Sequence, residues 1–134
     1  MFDEYVERLA WPVTVREIEL KRALPPEEAK AEEARLLLDT VGRDAILIAL
    51  DERGTEWSST EFARRIGAWR DEGIGELVFA IGGADGHGKD VIERASATIA
   101  FGRMTWPHRL ARVMLIEQLY RAQQILAGHP YHRG

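Results

Sequence analysis

Three short apolar runs constrain this chain more than any other feature of it: Ala45-Ile-Leu-Ile-Ala-Leu50, Leu77-Val-Phe-Ala-Ile81 and Ala97–Phe101. Each has the length of a strand and is apolar at consecutive positions, so neither side of the extended chain can face water. Strands of that kind belong inside a parallel sheet covered on both faces. The segments between them read as helices. Pro25-Pro26 open EEAKAEEARLLLDTV, which Gly42 ends. Ser58-Ser-Thr-Glu61 is a capping box for a helix through about Arg70, closed by Gly73 and Gly75. A short helix is expected over Lys89–Ala95 and a long one over Leu110–Ala127, stopped by Gly128. Pro12–Leu20 alternates through Val13 and Val15 and reads as a further strand. The expected fold is α/β, a mostly parallel sheet with helices on both faces, in one domain over residues 1–134. Ligands of such sheets bind beyond the carboxyl ends of the strands, here Leu50-Asp51, Ile81-Gly82-Gly83 and Phe101-Gly102.

Composition removes several classes of function. The absence of cysteine excludes disulfides, thiolate metal sites and thiol nucleophiles, and no metal is expected. No apolar run approaches the roughly 20 residues of a membrane helix. Met-Phe-Asp-Glu-Tyr5 is too acidic to open a signal peptide, so the expected location is the cytoplasm. The net charge of −4 hides an asymmetry: Arg94, Arg103, Arg109, Arg112, Arg121 and Arg133 face a single acid, Glu117, after residue 93. All four histidines, at 87, 108, 129 and 132, lie in the same part of the chain. A basic surface on an otherwise acidic protein suits phosphate or nucleic acid, although arginines on a helix also serve as its solvated face.

Four local patterns carry chemistry. Gly83-Ala-Asp-Gly-His-Gly88-Lys89 fits half of a phosphate-binding P-loop, between a strand and a helix. Asp90 then stands where a hydroxyl is needed for the metal ion, and Asp85 would repel phosphate. Phe101–His108 runs from a strand end into the last helix, where His108, Arg109 and Arg112 suit an anion or a polar ligand edge. Glu117 and Arg121 are spaced for a helix-surface ion pair, the ordinary alternative to an RNA contact by Arg121. The tail His129-Pro-Tyr-His-Arg133 offers an aromatic and cationic groups suited to base stacking and phosphate.

Taken in order, Ala49-Leu-Asp-Glu-Arg-Gly54 with Ser58-Ser59, Ile81-Gly-Gly-Ala-Asp-Gly86, Met104-Thr-Trp-Pro-His108 through Arg112, Glu117-Gln-Leu-Tyr-Arg-Ala122 and Pro130-Tyr-His132 resemble the RlmH family. These are SPOUT-class, α/β-knot methyltransferases that modify N3 of a pseudouridine in 23S ribosomal RNA. The resemblance covers the chain from Phe2 onward. It implies a C-terminal trefoil knot, S-adenosylmethionine as cofactor, and a homodimer that composes its RNA site from both subunits. The implied cofactor pocket is Leu50, Gly82, Phe101, Gly102, Arg103, Met104, Thr105 and Trp106. Catalytic and electrostatic roles fall to His108, Arg109, Arg112 and His132, and RNA contacts to Arg121, Tyr131 and Arg133. The expected partner is 23S rRNA in the large subunit or the 70S ribosome.

Two departures stand out. Family members carry a strand and a Gly-Lys turn ahead of the helix at Phe2–Leu9, and the given sequence starts inside that helix. His87 and Gly88 replace a leucine and a serine common in the family's glycine-rich turn. The alternatives to the methyltransferase are a knotted RNA-binding protein without turnover and a P-loop nucleotide-binding module. The last helix, with Leu110, Val113, Met114, Leu115, Leu119, Ile125 and Leu126, is more apolar than one face can bury, which independently favours a dimer.

Overall fold

A computed structural model of the chain describes residues 1–20, 23–82, 86–102 and 104–128. The elements are α1 (Phe2–Arg8), α2 (Pro26–Thr40), β1 (Ile46–Glu56), α3 (Ser59–Asp71), β2 (Leu77–Ile81), α4 (Lys89–Arg94), β3 (Ala97–Ala100) and α5 (His108–Leu126). The three apolar runs form one parallel sheet in the order β2-β1-β3, with the longest run at its centre. Leu47, Ile48 and Ala49 of β1 are wholly buried.

Alternation along β1 divides the core between two faces. Ile48 and Leu50 pack with Ile99, with Phe62, Ile66 and Trp69 of α3, and with Leu115 and Ala122 of α5. Leu47 and Ala49 point the other way, onto Ala34 of α2, Val91 of α4 and Ala80. Helices therefore cover both faces, as continuous apolar strands require. Ser58 caps α3 by accepting the Glu61 N–H at 3.1 Å. Among the described residues no helix is long and apolar enough to cross a membrane.

The expected strand at Pro12–Leu20 does not form. Period-2 alternation makes a segment capable of being a strand, but a strand exists only through a ladder with a neighbour. This segment instead lines a groove of about 980 Å³ together with β2, α2 and α5. Val15, part of the alternation that suggested the strand, is 47% exposed. Arg112 holds the segment to α5 through Glu17 at 3.1 Å, and Gln123 of α5 accepts the Ala10 N–H at 2.6 Å.

β1 also runs further than its apolar run. It continues through Asp51-Glu-Arg-Gly-Thr-Glu56, and its pairing with β3 slips there: Leu50 and Thr55 both stand opposite Ile99. The residues between them are a bulge at the carboxyl end of the central strand. Bulges re-aim side chains at strand ends, and this one turns Asp51 inward.

Candidate functional site

The carboxylate of Asp51 is 1% exposed and is the hub of the strand ends. Its Oδ1 accepts the Arg53 backbone N–H at 3.0 Å and Arg53 Nε–H at 2.8 Å. Its Oδ2 accepts Arg53 Nη2–H at 2.8 Å and the His87 backbone N–H at 3.2 Å. The Arg53 side chain above all, with these backbone donors, holds the Asp51 carboxyl far below the usual carboxylate range against the opposing effect of burial. Arg53 Nη2 also reaches the His87 carbonyl at 3.3 Å.

His87 lies beyond the glycine-rich turn and is 7% exposed. Its Nε2 is 2.9 Å from the Ala80 carbonyl, which can only accept, so Nε2 carries the proton. Burial, first, depresses its pKa below the usual imidazole range, although the Ala80 carbonyl and Asp51 oppose the shift. Gly82 packs against this far limb of the turn. A Cβ on Gly82 would stand 3.1 Å from Gly86 C, 3.2 Å from His87 N and 3.3 Å from His87 Cδ2. The glycine was expected to admit a ligand; the direction a side chain would take is filled by the turn itself.

Leu50, Gly82, Phe101 and Gly102 come together because their strands are neighbours, with Leu50 opposite both Ile81 and Ile99. Past β3 the chain folds back on β1. Thr105 donates from Oγ1 to Glu52, and Trp106 Nε1–H donates to the Phe101 carbonyl at 3.2 Å. Met104, Trp106 and Leu110 are 70%, 38% and 43% exposed, a cluster of large apolar side chains within seven positions. His108, Arg109 and Arg112 line the same groove as Gly82. Arg112 also lies over the Phe2 ring, 6.0 Å from its centroid.

Arg121 makes the ion pair its spacing allowed, with Nη2 2.6 Å from Glu117 Oε1. Arg103, Tyr131, His132 and Arg133 lie outside the described residues. The lysine of the P-loop pattern, Lys89, is 85% exposed and pairs with Glu93 at 3.6 Å. Asp51 was expected only as part of a strand end, and neither it nor His87 was assigned a role at the site. An acid directly after an all-apolar run was the available signal for the first; nothing in the sequence distinguished the second from a loop histidine.

Comparison with known proteins adds the remaining constraint. A family described as "Predicted SPOUT methyltransferase" matches residues 1–132. A protein of Rhodospirillum centenum named ribosomal RNA large subunit methyltransferase H is 56% identical, over 100% of this chain and 88% of its own. Proteins of the same name from Paramagnetospirillum magneticum and Bradyrhizobium diazoefficiens are 52% and 50% identical, each over 99% of this chain and over 88% and 84% of their own.

Proposed function

Because the chain belongs to the SPOUT methyltransferase family, we propose that it is an S-adenosylmethionine-dependent methyltransferase that methylates N3 of a pseudouridine in 23S ribosomal RNA. The observation that carries the reading is the match along the whole chain to large-subunit rRNA methyltransferases, spanning every strand end described above. The knotted fold, the cytoplasmic location and the ribosome as partner belong to the same proposal.

The donor set suits adenosylmethionine. Backbone amides and carbonyls at Gly82, Phe101 and Gly102 can read the adenine edge, while Leu50, Met104 and Trp106 offer apolar surface to its faces. When bound, the cofactor supplies an electrophilic methyl on sulfur. The protein must hold the base in line with it, help remove the N3 proton, and stabilise the negative charge that then develops on the uracil carbonyls. His108, Arg109 and Arg112 on one groove wall are the imidazole and cations available for those tasks, and His132 is the further candidate.

Titration with S-adenosylmethionine, S-adenosylhomocysteine and ATP tests the reading, followed by methyl transfer to ribosomal RNA. The first two ligands bind and ATP does not. Gly82→Val drives its side chain into Gly86 and His87, so adenosylmethionine affinity falls at least about tenfold. Lys89→Ala leaves it unchanged. ATP affinity that depends on Lys89 overturns the assignment.

The exposed Met104, Trp106 and Leu110 support a homodimer covering this cluster, since interface cores concentrate such residues. Trp106→Asp with Leu110→Asp converts a dimer seen by sedimentation at micromolar concentration into a monomer. A wild-type monomer with cofactor bound contradicts the dimer.

A further inference from the structure

The glycine-rich turn is held by three attachments, of which one is titratable near neutrality. Asp51 takes the His87 N–H, Arg53 takes the His87 carbonyl, and the His87 ring donates to the Ala80 carbonyl at the end of β2. The near limb at Gly82 has no space of its own: it lies against Gly86 and His87. The position of Gly82 is thus set by where His87 sits. The ring is buried, and both oxygens of its nearest carboxylate are already occupied by Arg53 and by its own backbone N–H. A protonated ring would carry a charge there for which Asp51 has little remaining capacity to accept.

We propose that His87 is a positioning residue for the methyl-donor site: neutral, it pins the far limb of the turn to β2 and so places Gly82; protonated, it releases that limb, and cofactor affinity falls in mild acid. The inference rests on the donor-site reading above. The groups facing the ring include the carbonyls of Ala80 and Leu50 and the side chains of Asp51 and Arg53, all on the strands. Around the adjoining cavity stand Glu27 and Lys30 of α2 and Lys89, Asp90 and Glu93 of α4. Ala80, Leu50 and Asp51 favour the charged form and burial opposes it more strongly. The folded-state pKa therefore lies below the unfolded value of about 6.5. Stability from neutral His87 is present above that value and is lost as pH falls below it towards the folded pKa. The Asp51 contribution, from a carboxyl depressed in the fold, is lost only as pH falls below its unfolded value of about 3.9. Between pH 7.5 and 5.5 Asp51 therefore contributes nothing to the change, and His87→Gln separates His87 from the other histidines at 108, 129 and 132.

The experiment is calorimetric titration with S-adenosylhomocysteine at pH 7.5 and 5.5, on the wild type and His87→Gln. Amide exchange of residues 86–88 is followed at both pH values without ligand. The glutamine amide can donate to Ala80 and does not titrate. Wild-type affinity falls about fivefold at the lower pH, and the protection of the 86–88 amides, each rate taken relative to its intrinsic rate at that pH, falls with it. His87→Gln binds within about threefold of wild type at pH 7.5, and neither its affinity nor its protection at 86–88 changes with pH. Equal pH dependence in both proteins, or none in the wild type, overturns the proposal. Lower protection of 86–88 in acid with no binding of the ligand at either pH sinks the donor-site reading but leaves the histidine's hold on the turn. Should His87→Gln fail to fold, the wild-type ring is titrated by NMR, and a midpoint at or above about 6.5 overturns the proposal.

Discussion

Gly54→Ala unfolds or severely destabilises this protein, by at least about 3 kcal/mol, with a fall in Tm of roughly 10 °C. Gly54 lies in the bulge of β1, where the chain crosses β3 with no side chain between the two backbones. A Cβ there would stand 2.7 Å from Ile99 N, Ile99 C and Thr98 C. No rotamer relieves the clash, because the obstructing atoms are backbone on both sides. Either β3 moves away from β1, dismantling the ladder that buries Ile99, or the bulge opens and Asp51 loses its orientation. The comparison that isolates the cause is Gly75→Ala. A Cβ at Gly75 meets nothing within 4 Å and its backbone is not left-handed, so that variant melts with the wild type. Thermal melts of the three proteins suffice, and a Gly54→Ala protein within about 1 kcal/mol of wild type would show that the two strands do not approach as described.

The same bulge marks the limit of what could be read from residues alone. The three apolar runs became the three strands, and Ser58 became the cap of α3, because burial on two faces and a local hydrogen bond leave their mark within a few positions. Pro12–Leu20 failed for the converse reason: its alternation records what the segment could do, whereas a ladder depends on which edge lies beside it. The extension of β1 through Asp51–Glu56 was equally hidden, since those residues are polar and pair with β3 only across a register slip. Asp51 was legible only as the residue that ends the apolar run. It is instead one of only two polar or charged side chains found buried among the described residues, the other being His87. They are 36 positions apart and meet only through the turn after β2. A pair formed by tertiary approach leaves no spacing to detect, which is why the resemblance identified the strand ends and missed what braces them.

The remaining large effect concerns the tail, where cofactor binding and RNA chemistry are expected to separate. The last helix ends at Leu126, Pro130 cannot prolong it, and Tyr131, His132 and Arg133 follow in the sequence. An aromatic ring can stack on a splayed base, and the cationic groups can hold its phosphate or the charge developing on its carbonyls. The cofactor is assigned to the strand ends and to residues 101–106. Deleting Tyr131–Gly134 therefore leaves adenosylhomocysteine affinity within a few-fold of the intact protein. Methyl transfer to ribosomal RNA falls at least about a hundredfold, because stacking is worth about 1–3 kcal/mol per base and lost orientation adds to it. The residual RNA affinity depends less steeply on salt, by close to one counterion, through loss of Arg133. Methylation at a near-normal rate by the truncated protein would remove the tail from the RNA site. The contacts would then fall to Arg109 and Arg112 on the groove wall, since Arg121 already shares its charge with Glu117.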